Sequence, residues 1–236
     1  MALESGDSAT AKLRAEEALA LFESLGDARG IAFSTIMVGD AASEQGDFLG
    51  ARRLFEQSAR LFRDLGDDNY ALAASRDIAG TYYDAGDKEG ARARHEETLL
   101  QARATGNKEM QVTIMGTLAL YALEDGRAAD ALSILKQSLP IGRELGNRLE
   151  LGLTLRYFAR ALAMTGKPGV AARILSTSET LRADIGFKRW WFGDLDEGTL
   201  APIRAQLGQA SFDEEWALGR KLRDDHAITL ALESTF

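Results

Sequence analysis

Residues 38–58 read VGDAASEQGDFLGARRLFEQS, and this stretch decides the fold. A run of helix-forming residues stops at Gly46, the residue type that most readily takes the left-handed conformation ending a helix. Asp47 follows, a side chain suited to capping a new helix, and small or apolar residues then recur at Ala51, Phe55 and Ser58 at helical spacing. The stretch is therefore a helix, a tight turn and a second helix. Working outward, glycine returns every twenty residues, at Gly6, Gly26, Gly46, Gly66, Gly86, Gly106, Gly126, Gly146, Gly166 and Gly186. Asp or Asn follows at Asp7, Asp27, Asp47, Asp67, Asp87, Asn107 and Asn147. Equal spacing over nine gaps makes the chain a ladder of helical hairpins.

About eighteen helix-competent residues lie between glycines, rods of roughly 27 Å at 1.5 Å per residue. Two rods form a forty-residue unit. Seven residues before the turn glycine stand Gly39, Ala79, Ala119 and Ala159, and one place earlier Val38, Ile78, Leu118 and Phe158. Five after the turn come Ala51, Ala91, Ala131 and Ala171, and twelve after it Ser58, Thr98, Ser138 and Ser178. Small side chains at these offsets let paired helices approach closely.

This constellation resembles the tetratricopeptide repeat, in which a large and then a small residue, a Gly-Asp turn and further small residues mark the two helices. The usual unit has thirty-four residues; this one has forty, as in extended tetratricopeptide arrays. The large aromatic often found early in the first helix is replaced by Thr35, Ser75, Met115 and Leu155. The expected fold class is all-α: a right-handed α-solenoid of antiparallel helix pairs, a TPR-like superhelix, with a C-terminal helical cap. The expected organisation is a half repeat at 1–26, full repeats at about 27–66, 67–106, 107–146 and 147–186, forming one continuous array, and a cap at 187–236 with helices near 196–207, 211–223 and 226–233. The chain starts in mid-repeat, so the reading expects it to be the C-terminal part of a longer protein or to have its exposed edge covered by a partner or a second copy.

Residues 200–234, LAPIRAQLGQASFDEEWALGRKLRDDHAITLALES, resemble the tail of bacterial multidomain regulators of the LuxR and AfsR kind, which join a signalling or DNA-binding unit, an NTPase and a tetratricopeptide array. The matching residues are Leu207-Gly208, Phe212, Trp216, Gly219-Arg220, Ala227, Ala231 and Leu232. The resemblance implies the sensor or interaction region of a transcriptional regulator, with a free-standing scaffold protein as the alternative.

Composition narrows the function classes. Apolar residues make up 45% of the 236, with three prolines, enough for a packed helical protein. A net charge of −8 disfavours a phosphate-backbone footprint, so no direct nucleic-acid partner is expected. There is no cysteine, which removes disulfides and thiolate metal sites and is consistent with a cytoplasmic home. The start carries no basic segment leading into an apolar core, and the longest uncharged run, Met110 to Leu123, is too short to cross a bilayer. No membrane partner is expected, and that run reads as the most buried helix.

No catalytic, metal or cofactor site stands out. Gly166-Lys167 has Ala161 in place of the leading glycine of a nucleotide loop and Pro168 in place of its Ser or Thr. His95 and His226 lack histidine or cysteine company, and His95 occupies the site of Phe55, Leu135 and Leu175, which points to half-buried packing. Adjacent carboxylates such as Glu96-Glu97 and Asp224-Asp225 diverge by about 100° on a helix and do not converge on a substrate. Trp190, Trp191, Phe192 and Trp216 read as an apolar lid on the last hairpin.

The resemblance places the ligand groove on the first helix of each hairpin, ten, six, three and two residues before each turn glycine. The candidate residues are Ile36, Asp40, Arg76, Tyr83, Leu120, Arg156 and Arg160. Arg76, Arg156 and Arg160 suit carboxylates or a phosphate; the competing reading pairs them with Asp40, Asp84 or Glu124. The expected partner is a protein or peptide, or a small effector, and the exposed repeat end leaves monomer and homodimer equally open.

Overall fold

The computed structural model describes residues 8–186 and 197–234. Gly6-Asp7 and the Trp190-Trp191-Phe192 lid fall outside the described residues. Twelve α-helices and no strand occur among the described residues: α1 (Ser8–Leu25), α2 (Ala28–Glu44), α3 (Phe48–Asp64), α4 (Asp68–Asp84), α5 (Lys88–Ala104), α6 (Lys108–Glu124), α7 (Ala128–Leu145), α8 (Arg148–Met164), α9 (Pro168–Asp184), α10 (Glu197–Leu207), α11 (Gln209–Gly219) and α12 (Asp224–Glu233). Successive helices pack in antiparallel pairs, an α-solenoid.

The turns work as their residues dictate. Every glycine of the series from Gly26 to Gly186 has φ between 65° and 85°, and among the described residues no other residue type has positive φ. Asp27, Asp47, Asp67, Asp87 and Asn147 accept hydrogen bonds from backbone N–H groups of the next helix. At Asn107 the side chain accepts from Met110 N–H at 2.9 Å. Arg127 and Lys167 give no such cap to α7 and α9, and Pro168 opens α9, where the missing N–H removes one unsatisfied donor.

The chain divides into two compact units, Met1–Met110 and Gln111–Phe236. In the first unit α2 packs on α3 and α4 on α5. Ala51 and Ala91 are fully buried, and Ser58 Oγ donates to the Ala32 carbonyl at 2.9 Å, tying α3 to α2. Its aromatic knot is Phe33, Phe62 and Tyr70, with centroids 4.5 to 5.1 Å apart. The large buried side chains of this unit include Phe55 and Phe62, 2% and 0% exposed.

The second unit holds a broader core, built from Leu135, Leu139, Leu155, Phe158, Leu162, Ile174, Leu175 and Leu181. Ser178 Oγ donates to the Gly152 carbonyl at 2.7 Å, the same contact that Ser58 makes in the first unit. Ser138 occupies the same repeat position, is fully buried, and its hydroxyl makes no hydrogen bond among the described residues. The most buried helix is α8, with eleven buried positions, not α6, which has ten. α8 packs between α7 and α9 and also meets α10 and α12.

The cap closes the last hairpin through backbone. Ser176 Oγ donates to the Trp216 carbonyl at 2.8 Å, and Thr177 Oγ1 to the Gly219 carbonyl at 3.0 Å. Arg173 forms an ion pair with Glu215 beside them. α11 ends at Gly219 and not near 223, and a side chain at Gly219 would collide with the Arg173 carbonyl, so glycine is what lets the end of α11 lie against α9. Phe212 and Trp216 stack at 5.3 Å and complete the seal.

Candidate functional site

The candidate residues separate by unit, Ile36, Asp40, Arg76 and Tyr83 in the first and Leu120, Arg156 and Arg160 in the second. Each unit is described by itself.

In the first unit, Asp40 on α2 faces Arg76 and Asp77 on α4, with Glu44 a turn further along α2. Arg76 is already engaged: its Nη2 and Nε donate to one Asp77 carboxylate oxygen at 2.7 and 3.0 Å. One guanidinium thus serves two half-buried carboxylates. Burial, together with the charge of Asp77, pushes Asp40 up from the usual carboxylate range to about 6, against the pull of Arg76. Burial also raises Asp77, although Arg76 opposes it. Asp84, at the end of α4, is raised by burial and held down by a hydrogen bond from Ser43.

Around this cluster the neighbours are packed. Ile36 is a packing residue, resting between the Ala32–Phe62–Ala71 and Ala42–Ala51–Phe55 groups. Tyr83 is half-buried, with the Lys88 ammonium 5.5 Å from its ring centroid. His95 is 2% exposed, so it is a core residue and not half-buried. Its Nδ1 lies 3.0 Å from the Ala91 carbonyl, and burial drives its pKa down to about 4. The imidazole is neutral at pH 7 and fills the site that Phe55 and Leu135 fill elsewhere.

In the second unit, Arg156 is only 6% exposed. Residues 154–159 of α8 are buried without a break, so a long side chain in that run is drawn inward. Arg160 and Leu120 are half-buried, and Leu120 packs against the core of this unit. Beside Arg156 lies Tyr157, whose hydroxyl is buried and makes no hydrogen bond among the described residues. Burial raises its pKa, and the charges of Arg156, Glu150, Arg160 and Glu124 all reach it. Its ring lies over Gly116, where an added Cβ would sit 3.8 Å away.

Asp77 and Tyr157 are the residues that sequence reasoning missed. Both stand nine places before a turn glycine, one step past the row of Arg76 and Arg156. The signal was an acid or phenol directly beside an arginine in two repeats. Among the described residues no cluster has the makings of a metal site, and no helix is long and apolar enough to cross a membrane.

No family model and no curated protein matches this chain. Solved structures do. BtubC (BKLC) from P. vanneervenii is 14% identical, with a TM-score of 0.68 over 94% of this chain and 90% of that one. TPR-like repeats described as those of a putative kinesin light chain from Podosopora anserina are 17% identical, with a TM-score of 0.55 over 79% of this chain and 92% of theirs. A variant of those repeats is 18% identical, at 0.57 over 78% and 91%. Sequence period, turn geometry and these likenesses agree that the chain has the fold of a TPR-like helical repeat array.

Proposed function

We propose that this chain is a non-enzymatic protein- or peptide-binding module whose first unit receives a cationic segment of its partner. The observation that carries this reading is the charge imbalance around Arg76. Asp40 and Asp77 share that single guanidinium, and Glu44 adds a further negative charge. A lysine or arginine from a partner relieves the repulsion and regains the desolvation cost that the two carboxylates bear. The fold supports the reading because stacked hairpins present an extended surface rather than an enclosed pocket. An acidic ligand fits this unit poorly, since Arg76 is committed to Asp77.

Fluorescence anisotropy with an arginine-rich and a glutamate-rich peptide tests it. The basic peptide is expected to bind, and Asp40→Asn with Asp77→Asn to weaken it by about tenfold or more, near 1.4 kcal/mol. Equal binding of both peptides, or binding indifferent to the double substitution, overturns it.

The tail resemblance at 200–234 supports placing this module at the C-terminal end of a bacterial regulator, as a cytoplasmic sensor region. The alternative is a free-standing scaffold protein that mediates protein–protein assembly. An NTPase loop or a helix-turn-helix in the reading frame upstream of Met1 supports the regulator; an untranslated region there supports the scaffold.

A further inference from the structure

Asp40 and Glu44 on α2 face Arg76 and Asp77 on α4, and the guanidinium among them is committed to a single oxygen. Arg76 gives its Nε and Nη2 hydrogens to Oδ1 of Asp77. Among the described residues nothing donates to Oδ2 of Asp77, and Asp40 has neither a hydrogen-bond donor nor an ion-pair partner. Both side chains are withdrawn from water: Asp40 is half-buried and the Asp77 side chain is 19% exposed. A carboxylate so placed is relieved in one of two ways, by a proton or by a cation from outside.

The elements packed around Asp40 supply no third way. Its own helix adds the repulsion of Glu44, and α4 adds that of Asp77 while Arg76 opposes both. α1 and α3 also pack on α2, but Lys12 of α1 reaches Gln45 and Arg52 of α3 reaches Thr81, and α3 meets the backbone beside Asp40 with the Phe55 ring, against Gly39. Asp84 is exposed at the far end of α4, where Ser43 holds it. His95 on α5 faces Arg76 and stays neutral until the pH falls towards 4. Burial, and after it the charge of Asp77, push Asp40 up to about 6, so its proton is exchanged close to neutrality.

We infer, resting on the reading of the first unit as the seat of a cationic segment, that acidification releases the partner: a proton on Asp40 and a cationic side chain compete for one place. A guanidinium or ammonium set against Asp40 and the open Oδ2 of Asp77 returns Asp40 to the ordinary carboxylate range and expels its proton. Affinity and proton release are thereby linked, each changing the other by the same factor. Asp40 is the group that switches, and Asp77 acts on it through its charge.

Anisotropy titrations of the full chain with the arginine-rich peptide, repeated from pH 7.5 to 5, put this to the test. The peptide does not titrate in that range, which also stops short of the charging of His95. Affinity is expected to hold steady above pH 7, to bend near 6 and to be about tenfold weaker at pH 5. Calorimetry at pH 6 in two buffers of different ionisation enthalpy is expected to show about half a proton released per peptide bound. Asp40→Asn is expected to bind at pH 7.5 as weakly as the unsubstituted chain does at pH 5, with no bend, and Asp77→Asn to move the bend to lower pH. If the peptide binds at pH 7.5, loses affinity in the double Asp40→Asn, Asp77→Asn variant and yet binds the unsubstituted chain equally well at pH 5, the seat stands and the proton switch falls. A bend that persists in Asp40→Asn overturns the role of Asp40. No binding at any pH removes the seat and the switch together.

Discussion

Asp40 and His95 carry opposite pH signatures, and both come from the same burial. Asp40 is raised to about 6, so the folded protein holds that proton more tightly than the unfolded chain does. Its contribution is fully present below the unfolded carboxylate range and is lost as pH rises through about 6. His95 is lowered to about 4, so its contribution is present above the unfolded value of 6.5 and is lost as pH falls towards 4. Asp40→Asn is therefore expected to stabilise the protein at pH 7, by on the order of 1 kcal/mol, and to do little at pH 4. His95→Leu, which copies Leu135 and Leu175, is expected to flatten the loss of stability between pH 6.5 and 4. Urea denaturation at both ends of the range checks the pair; a His95→Leu variant with an unchanged acid limb rules out the assignment. The sequence made His95 legible as a packing residue because its repeat equivalents are apolar. It did not show the depth of burial, which depends on how closely α4 and α5 pack. Nor did it show the Asp40–Asp77 pairing, since a one-dimensional repeat gives the face of a helix but not the reach of a carboxylate to the next hairpin.

Each helix is legible in the sequence where local chemistry sets it. Gly-Asp and Gly-Asn pairs fix the ends of the array helices to within a residue, because the positive φ and the cap are properties of those two residues alone. At Gly219 it is contact with α9, and not a positive φ, that requires glycine, which no local pattern reveals. Two glycines separate these cases. Gly80 lies inside α4, and an added Cβ there meets nothing within 4 Å. Gly80→Ala is expected to stabilise by about 0.5–1 kcal/mol through helix propensity. Gly219→Ala is expected to cost about 1–3 kcal/mol, because its Cβ falls on the Arg173 carbonyl and forces α11 away from α9. Thermal melts of the two single variants check the pair, and a shift of the same sign in both contradicts the packing described for the cap.

For the whole molecule, the uneven distribution of large buried side chains decides how it opens. Of the large side chains exposed by 2% or less among the described residues, Phe55, Phe62 and His95 lie in the first unit, and Val112, Ile114, Met115, Leu123, Leu135, Leu139, Leu155, Phe158, Leu162, Ile174, Leu175, Leu181 and Ile203 lie in the second. In a stack of repeats local stability follows local burial. Hydrogen exchange is expected to be slowest in α8 and α9 and faster in α2 to α5, with denaturant melting α2 to α5 first. Uniform protection across both units would show that unfolding is one concerted event. The division into two units was hidden in the sequence, because the glycine period runs unbroken across residue 110 and only the size of the core residues changes.

The terminal helices meet α9 through main-chain oxygens: Ser176 and Thr177 reach the carbonyls of Trp216 and Gly219. At those two contacts the joint reads backbone, and the rest of its specificity lies in the apolar face of the terminator, where Ile203, Phe212, Ala227, Ile228 and Ala231 are buried in the core that α9 shares. It makes the ending portable. New hairpins spliced ahead of it should be closed off equally well, provided the last one offers an arginine and two hydroxyls at the places of Arg173, Ser176 and Thr177 and an apolar face like that of Ile174, Leu175 and Leu181, so that the length of such a protein can drift while its stopper stays the same.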